Sequence, residues 1–195
     1  MKRFVFAGTN AAMAALVLIP LFYLLNKSIH NKNRTAWYCL MAIYLSGVYA
    51  LVGLPTVGYI RFDANINLVP FAYLFSDLTN SLLNVALFIP LGIVLPLLWK
   101  RFRNPVRTVF FGLLLSAAIE FLQLFTLRAT DINDLMTNTL GTLIGWIIGR
   151  ILSCFLHIPG NSGRKRDVYQ IIGIAFSVMF FLQPVIEMLT WRLFS

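Results

Sequence analysis

Residues 108–156 read TVFFGLLLSAAIEFLQLFTLRATDINDLMTNTLGTLIGWIIGRILSCFL. Two apolar runs flank a short polar connection whose charged residues are Arg128, Asp131 and Asp134. Apolar runs of about 20 residues are long enough to cross a bilayer as helices, which satisfy their own backbone hydrogen bonds in lipid. The stretch therefore predicts two membrane-spanning helices joined by a polar turn.

The same pattern recurs along the rest of the chain. We predict six apolar segments, at residues 4–25, 35–54, 81–99, 108–125, 135–156 and 168–189. The expected fold is all-α, a polytopic membrane helix bundle of about six transmembrane helices. We expect one domain over residues 1–195.

The composition agrees with a lipid environment. Hydrophobic residues make up 59% of the chain, charged residues only 12%, and the mean hydropathy is +0.79. About a quarter of the residues are charged in an ordinary soluble domain. The net charge of +9 lies in short clusters between apolar runs, which is typical of a topology signal and of contact with membrane lipids. We therefore expect no nucleic-acid partner.

The basic residues also predict the orientation. Eleven of the sixteen Lys and Arg residues lie in or beside the first, third and fifth connections. The positive-inside rule places these connections in the cytoplasm, so both termini and the connection at residues 55–80 face outward. On this map most strongly polar residues of the helices lie toward the outer leaflet, with Gln170 as the main exception.

A polar cluster on these helices is the candidate ligand-binding site. Its members are Asn84, Glu120, Gln123, Arg128, Asp131, Asp134 and Asn138. A carboxylate inside a membrane helix is costly unless it is paired or protonated, and ionisable residues there usually serve a function. We expect Glu120, Arg128 and Asp131 to converge around a cavity open to the outer leaflet.

Two other interpretations of the polar cluster remain open. In a purely structural one, Arg128 neutralises Glu120, while Asp131 or Asp134 stabilises the start of the fifth helix. In the other, the three carboxylates hold a divalent cation such as Mg²⁺, although their spacing is weak evidence for one. The sequence assigns no catalytic residue, metal ligand or other cofactor.

Three glycines, Gly141, Gly145 and Gly149, repeat every four residues on the fifth segment. Small residues at this spacing let another helix backbone approach closely. We therefore expect this face of the helix to pack against a neighbouring helix.

The connection at residues 55–80 is long and apolar, and it includes Asn67, Tyr73 and Phe75. Two roles are equally compatible with this composition. The connection is either a lid over the polar cluster or a surface that contacts a lipid-linked or amphiphilic ligand.

An ordered set of short motifs resembles the VanZ-like family. The matching pieces are NLVPF at 67–71, NVALFIPLG at 84–92, EFLQ at 120–123, Arg128, Asp131, Asp134, Asn138, and Gly141 with Gly145. The resemblance is strongest over about residues 40–155 and leaves the sixth segment outside. It implies a multi-pass protein of the bacterial cell membrane, in a family named for low-level resistance to the glycopeptide teicoplanin.

The function we expect is reduced susceptibility to glycopeptide antibiotics, through the polar cluster at the outer membrane face. The partner would be a glycopeptide or a lipid-linked cell-wall precursor. One alternative is a membrane enzyme that modifies a lipid-linked envelope precursor. Another is a lipid or small-molecule transporter, against which the apolar inner halves of the helices argue. The oligomeric state is not readable from the sequence.

Overall fold

The computed structural model describes residues 2–26, 32–62, 65–71, 77–126, 128–155 and 165–194. Its helices are α1 (Lys2–Asn26), α2 (Lys32–Val52), α3 (Leu78–Leu98), α4 (Pro105–Gln123), α5 (Ile132–Phe155) and α6 (Lys165–Phe194), with a 3₁₀ helix at Lys100–Arg103. Two short strands, β1 (Ile66–Asn67) and β2 (Thr130–Asp131), pair in parallel. Tyr73, Phe75 and most of the first and fifth connections lie outside the described residues.

The predicted all-α fold is confirmed, with one helix at each of the six apolar segments. The helices α2–α6 each begin three residues earlier than predicted, because their first turns are polar. Two of these starts have clear caps. The side chain of Asp77 accepts a hydrogen bond from the Asn80 amide, and that of Asn104 accepts one from the Arg107 amide.

Five helices, α2–α6, are long and apolar enough to cross a membrane. In α1 the apolar stretch that qualifies is shorter, Ala12–Leu21. With several spanning helices in one chain, this is a multi-pass membrane protein.

The chain divides into two compact units. The first contains Met1–Ile60 and Arg166–Ser195, and therefore α1, α2 and most of α6. Within it, the hydroxyl of Tyr38 donates a 2.5 Å hydrogen bond to the carboxylate of Asp167, which joins α2 to α6. The one-domain organisation expected from the sequence stays a prediction.

The second unit, Arg61–Lys165, is built around α5. Its glycines meet α3, with Gly141 against Val85, Gly145 against Ile89 and Gly149 against Ile93. Residue numbers rise together along both helices, so α3 and α5 run parallel. The close packing predicted for this glycine face is confirmed. We call this interface the glycine seam (Gly141, Gly145 and Gly149 of α5, packed against α3).

The other side of α5 contacts α4. The side chain of Thr142 lies against Gly112, and the side chain of Asn138 reaches Ser116. Here residue numbers fall along α4 as they rise along α5, so the two helices are antiparallel. The end of α4, the start of α5 and the start of α3 therefore meet at one end of the unit.

Candidate functional site

Glu120 lies in the last turn of α4 and is only 7% exposed. Its carboxylate Oε2 accepts a 3.0 Å hydrogen bond from the backbone N–H of Asp131. Its backbone carbonyl accepts a 3.1 Å bond from the hydroxyl of Thr130. Glu120 therefore binds directly to the residues that precede α5.

Asp131 stands immediately before α5 and caps it. Its Oδ1 accepts the backbone N–H of Asn133 at 2.8 Å, which satisfies one of the free amides of the first turn. The same oxygen accepts the side-chain amides of Asn133 at 2.8 Å and of Asn67 at 3.1 Å. Of the two residues that the structural interpretation offered for the start of the fifth helix, Asp131 makes this capping bond, and Asn67 is an additional partner.

The described segment 65–71 lies against the same helix start. Its strand β1 pairs with β2, so that Ile66 faces Thr130 and Asn67 faces Asp131. The backbone N–H of Phe71 donates a 2.7 Å hydrogen bond to the side-chain oxygen of Asn133. Strand pairing and this hydrogen bond thus hold this part of the long connection beside the polar cluster.

Asp134 and Asn84 join α5 to α3. The side-chain amide of Asn84 donates a 2.7 Å hydrogen bond to Oδ1 of Asp134. This contact lies beyond the first glycine of the seam, where α3 and α5 both begin. It is a side-chain hydrogen bond at the end of the interface that the glycine seam forms.

Asn138 is one turn deeper and is buried. Its side-chain amide donates a 2.9 Å hydrogen bond to the hydroxyl of Ser116 on α4. Its Oδ1 atom is buried and has no hydrogen-bond partner among the described residues. That oxygen remains able to accept a hydrogen bond.

Arg128 and Gln123 complete the predicted set. Arg128 is half-buried in the connection between α4 and α5, and its positive charge acts on the carboxylates of Glu120 and Asp134. Gln123 is buried in the last turn of α4, where its carbonyl accepts a 2.9 Å bond from the Thr126 amide. Arg128 therefore opposes the mutual repulsion of the cluster's carboxylates.

Comparison with known proteins agrees with this architecture. Residues 6–153 match the family described as VanZ/LLP1, which is most of the chain. The chain belongs to the VanZ/LLP1 family. The match includes the whole polar cluster and the glycine seam, whereas α6 lies beyond it.

The chain is similar to Protein VanZ of Enterococcus faecium, with 35% identical residues over an alignment of 82 residues. The aligned residues cover 42% of this chain and 50% of that protein, so the chain spans about half the length of the relative it matches. No solved structure matches this VanZ/LLP1 family chain.

The predicted residues include two directly hydrogen-bonded pairs, Asn84 with Asp134 and Glu120 with Asp131. Sequence reasoning missed three neighbours of the set, Asn67, Asn133 and Ser116. Ser116 precedes Glu120 by four residues, so the two share a helix face, and this spacing could have identified Ser116.

Asn67 was part of the family resemblance, but its contact with Asp131 lies 64 residues along the chain. No local sequence pattern predicts a contact between residues so far apart in the chain. In the part of the chain that the structure describes, no group of three or more His, Cys, Asp or Glu side chains is placed to hold a metal ion.

Proposed function

We propose that this protein lowers the susceptibility of a bacterial cell to glycopeptide antibiotics such as teicoplanin, by acting at the outer face of the cytoplasmic membrane. The VanZ/LLP1 family membership supports this proposal. The observation that carries it is the meeting of polar groups from α3, α4 and α5 at one end of a membrane-spanning unit. A helix cap alone does not need groups from three helices.

The chemistry of the polar cluster suits a ligand with several hydrogen-bonding groups. Arg128 would bind an anionic group, as guanidinium groups commonly do. The carboxylates and amides would bind sugar hydroxyls or peptide amides, and the unpartnered Oδ1 of Asn138 offers a further acceptor. A glycopeptide and a lipid-linked cell-wall precursor both carry such groups.

The position of the basic residues supports an outward-facing cluster. Lys100, Arg101 and Arg103 are exposed on the 3₁₀ helix that follows α3, at the opposite end of that helix from Asn84. Arg150 is exposed near the end of α5, which runs parallel to α3. Under the positive-inside rule this basic end is cytoplasmic, and the polar cluster is then extracellular.

The test measures teicoplanin susceptibility of a sensitive host that expresses Glu120→Gln or Arg128→Gln. Glu120→Gln keeps the side-chain shape, Arg128→Gln keeps a shorter side chain with an amide donor, and both remove the charge. We therefore expect each variant to lose the resistance while accumulating normally in membranes. The matched controls are Glu187→Gln, on α6, and Arg61→Gln, at an exposed position, which make the same chemical changes elsewhere. Both controls should keep the resistance.

Immunoblots of isolated membranes decide between the functional and the structural interpretation. If the polar cluster serves folding alone, resistance should fall only in proportion to the amount of protein. Full resistance from well-expressed Glu120→Gln and Arg128→Gln variants would contradict the proposed role of the cluster.

A further inference from the structure

Segment 65–71 carries large apolar side chains that the protein leaves uncovered. Leu68, Val69 and Phe71 are between 61% and 69% exposed, and Phe62 just before the segment is 70% exposed. A soluble surface rarely gathers this much contiguous apolar area unless something covers it. We therefore expect an apolar surface to cover the segment.

The backbone of the same segment faces the protein. The carbonyl of Asn65 accepts the Thr130 amide at 3.0 Å, and the Val69 amide is satisfied within the segment, by the side chain of Asn67 at 3.1 Å. Phe71 has a φ of 63°, a left-handed conformation unusual for an aromatic residue, and its amide is bonded to Asn133. Backbone groups bonded inward with apolar side chains outward suit a segment in contact with lipid, where an unpaired amide is costly.

The exposed apolar surface of the segment continues onto the membrane-spanning helices. The ring of Phe62 lies 5.9 Å from that of Phe125, and Phe125 lies 5.6 Å from Phe121. Phe121 is exposed on α4, and Leu82 is exposed in the first turns of α3. Exposed apolar side chains of membrane-spanning helices are expected to face lipid, so Phe62 and the segment would extend that lipid-facing surface.

We propose that Phe62 and segment 65–71 form an interfacial membrane anchor, with their apolar side chains in the leaflet that surrounds the polar cluster. Interfacial segments bury Phe and Leu side chains at the boundary between headgroups and acyl chains. Asn67 ties the anchor to Asp131, so the polar cluster is held at the lipid surface. This inference does not depend on the antibiotic being the ligand.

Spin labelling tests the anchor in the full-length protein. Single cysteines at Leu68 and Val69, in a Cys39→Ser, Cys154→Ser background, carry a nitroxide label after reconstitution into phosphatidylethanolamine–phosphatidylglycerol vesicles. Collision with molecular oxygen, which concentrates in lipid, is compared with collision with a water-soluble nickel chelate. Leu82→Cys on α3 provides the lipid reference, and Arg103→Cys on the 3₁₀ helix provides the water reference.

We expect the labels at Leu68 and Val69 to resemble the one at Leu82, with oxygen collisions exceeding those with the chelate. Labels that resemble the one at Arg103 would show a segment in water and overturn the proposal. Labels shielded from both reagents, with spin–spin broadening, would show that a second copy covers the segment and would also overturn it.

Discussion

The helix α5 packs against two neighbours by different means. Toward α3 it presents the glycine seam, in which a Cβ added to Gly145 would meet backbone atoms, including the Cα of Gly92 at 3.0 Å. Toward α4 it presents side chains, with Thr142 on Gly112 and Asn138 bonded to Ser116. Backbone atoms cannot move without moving a whole helix, whereas side chains can. The first interface should therefore tolerate change far less well than the second.

The largest effect should come from Gly145→Leu, which breaks the glycine seam. We expect it to lower the free energy of unfolding by about 3 kcal/mol, the upper end of overpacking costs, because the contact is with backbone. Thermal unfolding of the purified protein, followed by fluorescence-detected size exclusion, measures the loss. Gly173→Leu on α6 is the matched control, since a Cβ at Gly173 meets nothing within 4 Å. Equal melting of the two variants would show that the seam is not close-packed.

A smaller effect is expected from Gly112→Ala on the α4 side. The added Cβ would lie 2.7 Å from Cγ2 and 2.8 Å from Cβ of Thr142, which are side-chain atoms. We expect a loss of about 1 kcal/mol, the lower end of overpacking costs. Adding Thr142→Ala removes the outer atoms of that contact and should restore part of the stability. If Thr142→Ala fails to help, the two interfaces are equally rigid and the comparison is wrong.

The smallest effect should come from Ser116→Ala, which removes the hydroxyl bonded to Asn138. Side-chain hydrogen bonds between membrane helices contribute about 0.6 kcal/mol on average, and we expect a loss of that size. A double-mutant cycle with Asn138→Ala isolates the pair. Ser177→Ala, at an exposed position of α6, is the control and should leave the free energy of unfolding unchanged. A coupling energy near zero would show that this bond does not hold α4 to α5.

The helices were predictable because length and hydropathy alone define a membrane span. Their starts were not, since first turns such as that of α5, with Asn133 and Asp134, are polar and resemble loop. The capping role of Asp131 was predictable from its position before an apolar run. Its bond to Asn67 depends on how the long connection returns to α5, and no local pattern encodes that path.

The parallel pairing of β1 with β2 could likewise not be predicted from the sequence. Two-residue strands carry too few side chains for alternation to show. The glycine seam was predicted as a packing face, but its partner could have been any helix. Gly92 on α3, which lies against Gly145, is a small residue within the NVALFIPLG motif and was the available hint.

The repeat of the glycine seam has a consequence for how α3 and α5 find their alignment. Because its contacts recur every four residues, sliding one helix along the other by about 6 Å, at 1.5 Å per residue, would bring glycines back against the same kind of surface. The seam alone therefore leaves several alignments close in energy. A slide in one direction would bring Phe88 opposite Asp134 and leave the carboxylate without an amide partner, whereas a slide in the other would bring Asn80, four residues before Asn84, into its place. The polar pair at the end thus disfavours one of the two neighbouring alignments, much as a single buried asparagine restricts the alignment of a coiled coil.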